Sequence, residues 1–156
     1  MTRIQSRRLR QSVPAQTKAR PRTKPPEARR NELMIAAERL FLQQGVGTTT
    51  VEQITSSADV AKGTFYLYFS SKDDVLIALG DRYGLELLAK IKAAVSEIPE
   101  QEWRGKLSAW ARAFVFGYLD SMRLHDIVFY GYRPATREGM LDNVIVDHLL
   151  NLLRTG

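Results

Sequence analysis

Residues 48–76 read TTTVEQITSSADVAKGTFYLYFSSKDDVL and contain the signals of two short helices joined by a tight turn. Thr49 and Glu52 have the T-x-x-E spacing of a capping box, in which two side chains satisfy backbone N–H groups at a helix start. Apolar residues then recur along one helical face: Val51, Ile54 and Ala58. The pattern predicts a short helix of about eight residues that begins at these threonines.

A second helix is predicted over Ala61–Phe69, after a break at Asp59 and Val60. Phe65 and Phe69 are four residues apart, so they share a helical face and are expected to pack inward. The other face is small, polar or aromatic and carries no acid: Lys62, Gly63, Thr64, Tyr66 and Leu67. Two helices joined by so short a turn predict a helix-turn-helix, whose second helix can enter the DNA major groove.

Helical signals continue on both sides of this motif. A preceding helix is predicted from about residue 27 to Gly45, where glycine has its usual role at a helix C-terminus. Ser71 and Asp74 mark the start of a long helix. The predicted helices beyond the motif cover 72–97, 100–123 and 136–154. No stretch alternates with a period of two, so the predicted fold class is all-α.

Positive charge is concentrated at the N-terminal end of the 156-residue chain. Residues 1–30 hold ten Lys or Arg and one acid, whereas the rest of the chain holds 13 basic and 16 acidic groups. Residues 1–26 are rich in proline and poor in large apolar side chains, which predicts a basic flexible arm. Such an arm is typical of a protein that binds a polyanion; the alternative is a solvated tail that aids solubility.

The chain contains no cysteine, which excludes disulfides and thiol chemistry. No apolar run approaches the roughly 18–20 residues that a membrane-spanning helix needs. The charged N-terminus lacks the apolar region of a signal peptide. These features predict a cytoplasmic protein with no membrane segment.

The run FLQQGVGTTTVEQITSSADVAKGTFYLYFSSKDDVLIAL resembles the DNA-binding domain of TetR-family transcriptional regulators. The resemblance covers residues 27–87 and implies a helix-turn-helix at 50–69, followed by a helical effector-binding and dimerisation domain over 88–156. It also implies DNA contacts by the threonines before the first short helix, by the recognition helix and by the lysine after it: Thr49, Thr50, Ala61, Lys62, Gly63, Thr64, Tyr66, Leu67, Tyr68 and Lys72.

A protein of this family is expected to bind double-stranded DNA at a palindromic operator as a homodimer. It is expected to act as a repressor that a small apolar or aromatic effector releases from DNA. The alternative is a truncated paralogue that does not regulate, or a protein-interaction module with a helix-turn-helix fold. This alternative stays open because the sequence ends near the family's seventh helix, before the two helices that usually form the dimer bundle.

Two residues depart from the family pattern. Asp59 replaces the usual glycine of the turn, and aspartate tolerates a left-handed backbone better than most residues. Ala61 replaces the serine that commonly caps the recognition helix, a loss of about 1 kcal/mol.

Aromatic residues recur at helical spacing within 100–123. They are explained either as packing core or as the lining of an effector pocket in which a polar group such as His125 orients the ligand. The candidate effector residues are Trp103, Trp110, Phe114, Tyr118, His125 and Phe129. The two histidines, His125 and His148, have no carboxylate at catalytic or metal-ligand spacing, and no Gly-rich phosphate loop is present. The pattern predicts no enzyme, no cofactor and no bound metal.

Overall fold

A computed structural model of the chain describes residues 25–128 and 142–155. All but the last two residues of the predicted basic arm lie outside this range, as does the effector candidate Phe129. The described elements are seven helices, and no strand occurs in either described segment. In chain order the helices are α1 (Pro26–Gln44), α2 (Val51–Ser57), α3 (Lys62–Phe65), α4 (Lys72–Ser96), α5 (Trp103–Asp120), α6 (Met122–Asp126) and α7 (Asp142–Thr155). The predicted all-α fold class is confirmed.

Helix ends agree with the sequence signals where those signals are local. Pro26 occupies the first turn of α1, where a missing N–H costs nothing. Gly45 ends α1 with φ of 85°, and its N–H donates to Phe41 O at 2.9 Å. At the start of α4, the Ser71 side chain accepts a hydrogen bond from Asp74 N at 3.2 Å.

Two predicted helices are shorter than expected. The single helix predicted over 100–123 is divided at Ser121, where φ is −119° and the N–H donates to Tyr118 O, three residues back. The recognition helix predicted over Ala61–Phe69 is α-helical only in α3. Beyond it, Leu67 N and Tyr68 N also donate to carbonyl groups three residues back, which is the tighter 3₁₀ pattern.

One hydrophobic cluster holds α1 to α4 together. Its fully buried members include Leu33, Phe41, Ile54, Phe65, Leu76 and Leu79. α4 continues without interruption through residue 87 and also packs against α5 and α7. The same cluster extends along α4 through Leu87 and Ile91 and includes Trp110 of α5. Gly117 of α5 packs closely against Leu87. A Cβ added at this glycine would be only 2.4 Å from Leu87 Cδ1. α4 therefore connects the helix-turn-helix to the helices that follow it.

The described helices include none that is both long enough and apolar enough to cross a membrane.

Candidate nucleic-acid interface

The start of α2 is fixed by a capping box one residue later than predicted. Thr50 Oγ1 accepts from Gln53 N at 3.2 Å, and Gln53 Oε1 accepts from Thr50 N at 2.9 Å. The box predicted for Thr49 and Glu52 is therefore wrong. Glutamine serves as well as glutamate at the third helical position, so the sequence allowed both registers.

Thr49 lies inside the protein. Its side chain is fully buried, and its hydroxyl donates to Gly45 O at 2.7 Å. Gln44 Nε2 reaches both Thr49 Oγ1 at 3.3 Å and Gln53 Oε1 at 3.0 Å. The predicted phosphate contact by the Thr49 side chain is therefore corrected, because no DNA can reach it. Thr50 is exposed.

The turn between α2 and α3 is a Schellman motif, in which two N–H groups after the helix return to carbonyls of its last turn. Asp59 N donates to Ser56 O at 3.3 Å, and Val60 N donates to Thr55 O at 3.0 Å. Asp59 has φ of 52°, the only positive φ of a non-glycine residue among those described. The left-handed turn expected at Asp59 is confirmed.

Phe65 and Phe69 anchor the second half of the motif. Both side chains are buried, and their ring centroids are 5.8 Å apart. The guanidinium of Arg30, on α1, lies 5.1 Å from the centre of the Phe69 ring. Ala61 precedes α3 without a side-chain cap, as its methyl group requires. The inward orientation predicted for the two phenylalanines is confirmed.

The opposite face of α3 and the turn after it points to solvent. Tyr66 is 53% exposed and Leu67 is 79% exposed. A Cβ added at Gly63 would meet no atom within 4 Å, so this part of the surface is open. Ala61 and Lys62 are also exposed, whereas Thr64 and Tyr68 are half-buried and Tyr68 packs partly against the core. We call Ala61, Lys62, Gly63, Tyr66 and Leu67 the outer face of α3.

An acid from α2 accompanies this outer face. The Lys62 ammonium donates to the Glu52 carboxylate, a contact that the sequence of α3 alone does not reveal. The hydrogen bond from Lys62 lowers the pKa of Glu52, and the same bond raises the pKa of Lys62. Both side chains are more than half exposed, so water and salt screen the pair.

Lys72 has partners within the protein. Its ammonium donates to Val46 O at 2.8 Å and to Thr49 O at 2.5 Å, and so closes the loop between α1 and α2. Loop carbonyls with no helical partner need such a donor. The position of Lys72 is therefore explained by these two hydrogen bonds, and a phosphate contact stays a prediction.

The effector candidates on α5 and α6 do not form one group. Trp110 is buried and stacks on Phe114 at 5.2 Å, and its Nε1–H donates to His148 Nδ1 of α7 at 3.1 Å. The Tyr118 ring meets His125 edge-on at 4.7 Å. Trp103 lies apart from both pairs, 40% exposed beneath the Arg104 guanidinium.

The sequence did not reveal that Tyr83 and His148 are neighbours of these residues. Tyr83 of α4 lies 5.9 Å from His125, edge to face, and burial raises the pKa of its phenol. Helical spacing reveals faces within one helix, whereas these contacts join residues far apart in sequence. No group of three or more potential metal ligands occurs among the described residues.

Residues 33–79, which include the whole helix-turn-helix, match the family described as bacterial regulatory proteins, tetR family. The chain therefore carries a TetR-family helix-turn-helix segment. It is 40% identical to the regulator HbdR of Aromatoleum sp. (strain CIB) over 75 residues, which are 48% of this chain and 30% of HbdR. It is 30% identical to the activator FasR of Mycolicibacterium smegmatis over 109 residues, which are 70% of this chain and 46% of FasR.

Similarity to a solved regulator structure extends beyond the matched segment. The fatty acid degradation regulator FadR of Bacillus halodurans superposes with a TM-score of 0.62 at 26% identity, over 85% of this chain and 67% of FadR. This chain spans less than half the length of the curated relatives HbdR and FasR.

Proposed function

We propose that this protein is a TetR-family transcriptional regulator that binds duplex DNA through α2 and α3. The observation that carries the proposal is the division of residues 61–69 into two faces. Phe65 and Phe69 fix one face to the core, and the outer face of α3 is held exposed beside them. A rigid, exposed helical surface is what a major groove admits.

The contacts that we propose fall into two classes. Thr50 and Lys62 face the phosphates, because a hydroxyl and an ammonium are the groups that position a protein on the DNA backbone. Ala61, Gly63, Thr64, Tyr66, Leu67 and Tyr68 belong to the segment that enters the groove. Lys72 adds its charge from the start of α4 while it holds the loop carbonyls.

We also propose that different parts of the chain have different functions. Residues 27–87 bind DNA, with the basic arm at 1–26 adding phosphate contacts, and residues 88–156 bind an effector and contribute to a homodimer on a palindromic operator. α4 crosses residue 87 as one helix, so a movement of α5 against α4 can be transmitted to α3. The proposed consequence is repression that a small apolar or aromatic molecule relieves.

The aromatic contacts of α5, whose Trp110 is buried, support the effector part of the proposal. Trp110, Phe114 and Tyr118 supply apolar surface, while His125 and His148 supply polar nitrogen atoms beside it. Apolar walls with a few polar groups are typical of small-molecule sites. A ligand that separates Trp110 from His148 would alter the contact between α5 and α7.

Selection of bound fragments from genomic DNA tests the proposal. We expect one palindromic sequence to be enriched, with an affinity that falls steeply as salt rises because phosphate contacts release counterions. Tyr66→Ala is expected to weaken binding to the enriched duplex and to leave thermal unfolding unchanged. Its matched control is Phe116→Ala, which truncates another exposed aromatic residue on α5.

Two results contradict the proposal. Equal affinity for the enriched duplex and for random duplex DNA would favour the alternative of a protein-interaction module. Unchanged affinity in Tyr66→Ala and Lys62→Ala would exclude the outer face of α3 as the DNA-binding surface.

A further inference from the structure

Leu67 is the most exposed large hydrophobic side chain among the described residues, with 79% of its surface accessible. Its neighbours in the chain show that this exposure is not a property of a loose segment. Leu67 N donates to Thr64 O, and Tyr68 N donates to Phe65 O at 3.0 Å. Phe69, two residues later, is buried. The backbone thus holds the leucine outward at a fixed position.

The chemistry of leucine limits what it can recognise. An isobutyl group has no hydrogen-bond donor or acceptor, so it contributes nothing to contacts with phosphate oxygens or with the polar edges of bases. The only apolar group that base pairs present in the major groove is the C5-methyl group of thymine. Contact with this methyl group removes apolar surface from water on both partners.

The surroundings of Leu67 favour access to the groove floor. The nearest outer-face positions on α3 include Gly63, where a Cβ would meet no atom within 4 Å. Tyr66, adjacent to Leu67 in the chain, is 53% exposed. The small Gly63 allows Leu67 to approach the groove floor closely. The Tyr66 hydroxyl remains available to polar atoms.

We propose that Leu67 is a specificity-determining residue that reads the C5-methyl group of one thymine in each half-site. The proposal rests on the proposed function of DNA binding, and it adds the chemical group that this position recognises. It assigns to Leu67 a base preference, whereas contact with the sugar-phosphate backbone would be independent of sequence.

Deoxyuridine tests the proposal directly, because it differs from thymidine only by the missing methyl group. The probe is the highest-affinity duplex that the full chain selects from a random-sequence library, with each thymine replaced in turn by deoxyuridine. We expect wild-type affinity to fall about fourfold at one thymine of each half-site, the effect of losing contact with roughly one buried methyl group. Leu67→Ala is expected to bind the thymine and deoxyuridine duplexes equally.

Controls separate this proposal from the one on which it rests. Leu85→Ala removes an exposed leucine of α4 and is expected to keep the wild-type sensitivity to deoxyuridine. Thermal unfolding of Leu67→Ala is expected to match the wild type, because the side chain is exposed. If wild type selects a duplex but no thymine is sensitive, or if Leu67→Ala keeps the sensitivity, the methyl contact is overturned and DNA binding stands. If no duplex is enriched, both proposals are overturned.

Discussion

Gly63 lies within α3, on the face that we propose enters the groove, and nothing occupies the space beyond its Cα. Alanine at this position removes backbone entropy from the unfolded chain without a clash. We predict that Gly63→Ala raises the free energy of unfolding by about 0.5–1 kcal/mol. We also predict weaker binding to operator DNA, because the added methyl group separates the α3 backbone from the groove.

Paired measurements of thermal unfolding and DNA affinity check this prediction. Gly47→Ala is a suitable control, since its Cβ would also meet no atom within 4 Å and it lies in the loop before α2. A Gly63→Ala variant that is more stable and binds DNA as tightly as wild type would show that the α3 backbone does not approach DNA at this residue.

Single residues also show what the sequence could and could not predict. Gly45, Asp59 and the pair Phe65 and Phe69 were placed correctly, because a helix end, a turn and a helical face depend on neighbours in the chain. The register of the α2 cap was not predicted correctly. Thr49 and Thr50 are chemically identical, and the buried hydrogen bond from Thr49 to Gly45 O selects between them. The carbonyl partners of Lys72 are more than twenty residues away, beyond any local pattern.

The pairing of α2 with α3 brings a carboxylate to the proposed DNA surface. The Glu52–Lys62 pair is neutral, so Lys62 must leave Glu52 before it can neutralise a phosphate. We predict that Glu52→Gln binds duplex DNA more tightly than wild type, with a plot of log affinity against log salt that is steeper by about one unit. Fluorescence anisotropy titrations at several salt concentrations give both quantities.

A charge-matched control is available for this prediction. Glu100 pairs with Lys106 at 2.6 Å, beyond the C-terminal end of α4, so Glu100→Gln makes the same change in net charge far from α3. We expect Glu100→Gln to leave the salt dependence unchanged. Equal effects of the two substitutions would mean that net charge alone, rather than the position of Glu52, governs DNA affinity.

The contact between α5 and α7 depends on the protonation of His148. The Trp110 indole N–H donates to His148 Nδ1, which can accept only when that nitrogen carries no proton. Burial and the nearby Lys92 of α4 lower the pKa of His148 below its ordinary value of 6.5, and Asp147 adjoins it in the chain. The unfolded chain therefore binds a proton at a higher pH than the folded chain does.

Stability is consequently predicted to fall as pH decreases through 6.5, and to be unaffected by this group above that pH. Thermal unfolding between pH 7.5 and pH 5.5 measures the effect, and His148→Gln is expected to reduce the pH dependence. Trp110→Phe removes the donor while keeping an aromatic ring against Phe114. The same pH dependence in wild type and His148→Gln would assign it to other groups.

The proposed homodimer sets a geometric requirement on DNA. One α3 surface reads only a few base pairs, and two surfaces related by two-fold symmetry read half-sites one helical turn apart, about 34–36 Å. The second contact then becomes intramolecular, which raises affinity by about 10²–10⁴-fold when both surfaces fit. α4 and the helices packed on it must hold the two surfaces at that separation.

We therefore predict that inserting five base pairs between the half-sites of the selected operator lowers affinity by about a hundredfold or more. The insertion rotates one half-site by half a turn, so the second α3 surface faces the wrong side of the duplex. Replacing five central base pairs without changing the length is the matched control, and we expect it to have a much smaller effect. Anisotropy titrations give the affinities, and sedimentation of the complex gives the number of chains bound. If the insertion and the replacement have equal effects, or if one chain binds each operator, the two half-sites are read independently and the homodimer is not the DNA-binding unit.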